Sequence, residues 1–110
     1  MAYDETLADR VRDALAPRAG LSERKMFGGI AWMLDGNMAC GIIGGDALLA
    51  RLGPDGAAAA LDEPHTRPAV MGERTMKGYL IVDAEGVDSE ESLQAWVDRC
   101  VAFAESLPPK

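Results

Sequence analysis

The side chains able to do covalent or proton-transfer chemistry are few, and their spacing suits none of the common arrangements. His65 is the sole histidine. It is flanked by Pro64 and Thr66, so a Ser-His-Asp or Cys-His constellation would have to be built on a loop residue, and a solvated loop histidine accounts for it. Cys40 and Cys100 are the two cysteines; with His65 they lack the paired close spacing of a structural zinc site. Glu90-Glu91 are adjacent, and adjacent helical residues point apart, so acids in a first turn answer to the helix dipole instead of forming an acid/base pair. The double glycines Gly28-Gly29 and Gly44-Gly45 precede strand patterns and do not follow a phosphate-loop spacing. The expected chemistry is therefore binding without turnover: no catalytic residue, no cofactor and no metal.

One constellation suits a ligand. Arg24, Lys25, Arg74 and Lys77 lie beside glycine-containing segments, Gly28-Gly29, Gly72 and Gly78. If the two strands that carry them are neighbours, the bases form a positive patch next to exposed backbone donors, suited to an acidic peptide or a phosphate. The competing reading is a set of solvated strand-edge charges that discourage aggregation. Met26, Met33, Met38, Met71 and Met76 supply adaptable side chains, a feature of core gap-filling and also of binding faces, with core the expected use.

The elements that would position these residues follow from the apolar periodicity. Leu7, Val11, Ala14 and Leu15 recur at helical spacing after Asp4, and Pro17 and Gly20 end that helix. Arg24–Phe27 and Ile30–Leu34 read as strand runs around a glycine break. Asp35-Gly36-Asn37 is a hairpin signal leading into Met38–Ile43, and a three-residue loop would put Ile30, Trp32 and Leu34 on one face with Met38, Cys40 and Ile42. Ala47–Arg51 is a short apolar run before Gly53-Pro54-Asp55, which opens an alanine-rich helix ending near Leu61. Two more strands, Ala69–Gly72 and Met76–Val82, flank a Glu73-Arg74-Thr75 turn. The last helix is capped by Asp88 or Ser89, with a stripe of Leu93, Trp96, Val97, Cys100, Val101, Ala104 and Leu107. The expected order is α-β-β-β-α-β-β-α: a two-layer α+β sandwich, with an antiparallel sheet of about five strands and helices at both ends of the chain.

Composition bounds the rest. A chain of 110 residues fits one domain spanning 1–110, since halves would be too small to bury a core. No run approaches the roughly 18 apolar residues that cross a bilayer, and acids follow Met1 where a secretory signal has bases, so a cytoplasmic protein with reduced thiols is expected. The net charge of −7 opposes a phosphate backbone and makes direct DNA binding unfavourable. The acids concentrate in the C-terminal third.

Arg24-Lys25-Met26-Phe27-Gly28-Gly29-Ile30-Ala31-Trp32-Met33, the Asp35-Gly36-Asn37-Met38 hairpin, Leu49-Ala50-Arg51-Leu52-Gly53-Pro54, Met76-Lys77-Gly78-Tyr79 and Leu93-Gln94-Ala95-Trp96-Val97 occur in that order. Together they resemble the N-terminal domain of TfoX/Sxy-type competence regulators over nearly the whole chain. The resemblance implies a sandwich similar to secretion-chaperone-like folds; such regulators commonly carry a second, C-terminal domain, and the expected departure here is a stand-alone form. The resemblance also implies a non-enzymatic role in regulating competence genes through protein partners. Arg24, Lys25, Gly28, Gly29, Arg74, Lys77 and Gly78 are the candidate binding residues, a small-ligand or anion site is the alternative use, and a homodimer is left open.

Overall fold

A computed structural model describes residues 3–16, 18, 20–26, 29–43 and 45–109. Helix α1, Glu5–Leu15, starts where Asp4 Oδ1 accepts hydrogen bonds from the backbone N–H groups of Thr6 (2.9 Å) and Leu7 (3.2 Å), replacing partners that a helix start otherwise lacks. Leu7, Ala8, Val11 and Leu15 form its buried stripe. At its other end, Arg18 donates to the carbonyls of Ala14 and Leu15. Pro17, read as part of the helix stop, lies outside the described residues.

Four strands follow as an antiparallel meander: β1 (Leu21–Met26), β2 (Gly29–Leu34), β3 (Asn37–Ile43) and β4 (Ala47–Arg51). Helix α2, Gly53–Ala60, then leads to β5 (Thr66–Met71) and β6 (Arg74–Val82), after which a 3₁₀ turn, Ala84–Val87, precedes helix α3, Glu90–Glu105. The sheet order is β1-β2-β3-β4-β6-β5, every pairing antiparallel. The α+β class is as expected, and the sheet has six strands because the apolar run Ala47–Arg51 joins it.

The β2–β3 hairpin corrects the expected loop. Asp35 and Gly36 alone make the turn, at φ 51° and 84°, the left-handed pair that matches strand twist. Leu34 therefore faces Asn37 and Met33 faces Met38, and a bulge between Trp32 and Met33 restores the pairs Trp32–Cys40 and Ile30–Ile42. Met38 is thereby moved off the face that Cys40 and Ile42 share, and Ala39 takes a place in the main core. The β5–β6 turn also differs: it comprises Gly72-Glu73, and Arg74 is already in the strand.

The main core lies between one face of the sheet and the helices. It contains Ile30, Trp32, Cys40, Ile42, Leu48, Leu80 and Val82 from the strands and Leu93, Trp96, Val97, Cys100 and Val101 from α3. Helix α3 lies across β2, β3 and β4 and against α1, while α2 packs on β6. A smaller cluster, Ala47, Leu49, Ala69 and Ile81, with Met38, Ile43, Met76 and Tyr79 packed around it, occupies the opposite face. Among the described residues no helix contributes to that cluster. No helix of the described residues is long and apolar enough to cross a membrane.

Candidate functional site

The four bases of the predicted patch divide into two pairs. Arg24 and Lys25 are on β1, one edge of the sheet, and Arg74 and Lys77 are on β6, with β2, β3 and β4 between them. Four strand spacings separate the pairs by about 19 Å along the sheet, so the single patch that required neighbouring strands does not form. Sequence pattern could not supply this, because strand pairing across the sheet is not encoded in local spacing. All four side chains are exposed, and among the described residues none takes part in an ion pair.

The glycines are placed by backbone needs. A Cβ at Gly29 would overlap the carbonyl oxygen of Ile42 on the neighbouring strand. Gly78, at φ 86°, sits in left-handed backbone, and a Cβ there would come within 3.3 Å of the Gly53 carbonyl carbon at the start of α2. Both glycines thus let two backbones approach closely. Gly28 lies outside the described residues.

Cys40 and Cys100 are free and buried. Burial raises both thiols, Cys100 to about 12, which keeps them protonated and poorly nucleophilic at neutral pH. His65 is exposed at φ 65°, and its carbonyl accepts from the Asp83 N–H at 2.8 Å.

What the topology does assemble is the helix-free face of the sheet. Across it runs a row of cross-strand neighbours: Arg24 opposite Ala31, Ala31 opposite Gly41, Gly41 opposite Leu49, Leu49 opposite Ile81, and Ile81 opposite Arg67. Since residues directly paired across strands share a face, arginines at both edges enclose an apolar centre. A cavity of about 70 Å³ opens there, lined by residues that include Ala31, Met38, Ile43, Leu49, Val70 and Met76. Val70, 53 % exposed, stands at its margin. A wider hollow of about 300 Å³ lies between α2 and β6, beside Leu61, Lys77 and Tyr79, and shares Met76 with the first. Met38 and Met76 are half-buried here, so two of the methionines expected in the core sit instead on a face without a helical cover. The side chains of Met26 and Met71 lie outside the described residues.

Two arginines of this face were not singled out in the sequence. Arg51 shares the face of Leu49, two residues away on β4, and its guanidinium lies 5.6 Å from the Tyr79 ring centre and 5.4 Å from that of Phe103. Arg67 pairs with Asp83 at 2.8 Å. Both belong to segments whose strand character was not evident from alternation.

The family model for the TfoX N-terminal domain matches residues 13–104. No curated protein and no solved structure matches the chain.

Proposed function

Because the chain belongs to the TfoX N-terminal domain family, we propose that it is a regulatory module that works by holding protein partners, without catalysis, and that the helix-free face of its sheet is the docking surface. The observation that carries this reading is the apolar cavity on that face, formed by β2, β3, β4, β5 and β6 with half-buried methionines at its wall. An apolar recess with adaptable side chains, left open on one side of a sheet, suits a partner's anchor residues. The family's association with competence genes makes control of those genes through protein contacts the role in which such a module would act.

The test is affinity capture from cells that express the chain, comparing wild type with Val70→Asp and with Arg74→Gln/Lys77→Gln, each checked by thermal melting. Proteins retained by wild type and lost with the Val70→Asp variant support a docking face. A metabolite that co-purifies in their place, with no protein dependent on Val70, would favour small-ligand binding. Loss with Arg74→Gln/Lys77→Gln alone would move the contact to the hollow between α2 and β6.

A further inference from the structure

The charges of this acidic molecule are sorted by element. Of its eleven bases, Arg24, Lys25, Arg51, Arg67, Arg74 and Lys77 lie in strands. Of its eighteen acids, Glu23 is the one within a strand, and it points to the helical side, where it meets Arg12 of α1 and Trp32. Around the helix-free cavity, Arg24 is paired across the strands with the lining residue Ala31. Arg74 lies two residues from the lining residue Met76, on the same face of β6. Both are exposed and have no ion-pair partner among the described residues. Of the acids near this face, Asp83 is already held by Arg67, and Glu73, in the turn before Arg74, makes no ion pair among the described residues.

From this arrangement we infer that the partner segment is acidic and amphipathic: its apolar side chains seat in the cavity and its carboxylates meet Arg24 and Arg74. The inference rests on the reading of this face as a docking surface and adds the chemistry of the occupant. Guanidiniums without an ion-pair partner, bordering an apolar centre that a docked segment would cover, reward a carboxylate with charge-assisted hydrogen bonds and reject a basic segment through like-charge contact. A single-stranded nucleic acid would also meet the bases, but it needs free aromatic faces on which to stack. Tyr79, the aromatic residue of this face among the described residues, already has the Arg51 guanidinium against its ring.

A phage-displayed library of random linear peptides, panned on the full chain at near-physiological salt and counter-selected on the Val70→Asp protein, tests both layers. The expected outcome is enrichment of peptides in which Asp or Glu flank large apolar residues. One such peptide, synthesised and titrated by fluorescence anisotropy, should bind about tenfold more weakly to Arg24→Glu/Arg74→Glu protein and recover when its own acids are changed to Lys. Both substitutions fall on exposed strand positions, and thermal melts confirm that the variant is folded. Peptides that require Val70 but are neutral or basic, or that ignore the arginine reversal, overturn the acidic partner and leave the docking face standing. Enriched peptides that bind Val70→Asp protein as well as wild type, or no enrichment at all, overturn the docking face and the inference with it. Tighter binding of a poly(dT) oligonucleotide, abolished by the arginine reversal, would assign the face to nucleic acid and equally overturn the proposal.

Discussion

Glu23 has more partners than an edge-strand carboxylate usually gathers. Its two oxygens accept from Arg12 Nε (2.9 Å) and Nη2 (3.1 Å), and one also accepts from the Trp32 indole N–H (3.1 Å). A bidentate guanidinium favours the charged form, and the hydrogen bonds from Arg12 hold the Glu23 carboxyl below its ordinary 4.5. A depressed acid stabilises the fold above its unfolded pKa and loses that contribution as pH falls through its folded value. Melting temperatures of wild type should therefore fall more steeply than those of Glu23→Gln as pH drops from about 4.5 through the lower folded value, and parallel curves would remove Glu23 from the account. The side chain is 43 % exposed, so the effect is small. The buried thiols behave in the opposite sense, since burial disfavours the thiolate. Reagents for free thiols should label Cys40 and Cys100 slowly in the folded protein and rapidly in denaturant, and a melting temperature lowered by reductant would instead indicate a bridge. At this scale the sequence was readable for Cys40 and Cys100, whose apolar neighbours announce burial, and for the exposure of Arg24, Lys25, Arg74 and Lys77. It was not readable for the company those bases keep, which depends on strand order.

Elements whose periodicity extends over many residues were legible, and short runs buried on both faces were not. Helix α3 is capped by Ser89, whose hydroxyl accepts from the Ser92 N–H at 3.1 Å, and six of its stripe residues are buried as the 3.6-residue repeat requires. Trp96 is 7 % exposed in that stripe, with the Arg99 guanidinium 4.2 Å from its ring centre. Trp96→Ala should lower unfolding free energy by about 3–5 kcal/mol, read from urea denaturation, and a loss below about 1 kcal/mol would mean that the helix settles into the space. By contrast, β4 is a short apolar run without alternation because Leu48 and Leu49 face two clusters, so pattern alone left the strand count short, whereas β6, with Leu80 and Ile81 divided between the same clusters, was read as a strand from its longer run. The hairpin register was half legible: alternation identified Trp32–Cys40 and Ile30–Ile42, while the bulge that shortens the turn has no periodic signature. Gly29 belongs to this scale too. Gly29→Ala should destabilise by about 1–3 kcal/mol through displacement of β2 from β3, and an unchanged melt would show that the strands can part there without cost.

For the whole molecule, the separation of charge between layers matters more than the net value. The −7 is unevenly placed: the helices and connections carry almost all the acids while the strands carry more than half the bases, so the molecule presents a basic face within an acidic envelope. Long-range approach to duplex DNA is governed by the total field, which repels phosphate. Contact after approach would rest on few bases: Arg51 is engaged with Tyr79 and Phe103 and Arg67 with Asp83, while Arg24 and Lys25 stand near one end of the strand order and Arg74 and Lys77 near the other, so that a single approach meets one pair. A pair of phosphate contacts gives a shallow salt dependence, because each contributes a slope of only about 0.9 in log K against log salt. No described helix presents a basic, exposed face that could enter a major groove: α3 carries Arg99 alone among its bases, held by Glu63 at 2.8 Å. The isolated chain should therefore bind duplex DNA without sequence preference and more weakly than about 10⁻⁶ M at physiological salt, the tight end of nonspecific affinities. Gel-shift titrations on two unrelated duplexes check this. A retarded complex below that concentration that discriminates between the duplexes would mean that the basic face reads nucleic acid directly, and the protein-partner reading would have to be abandoned.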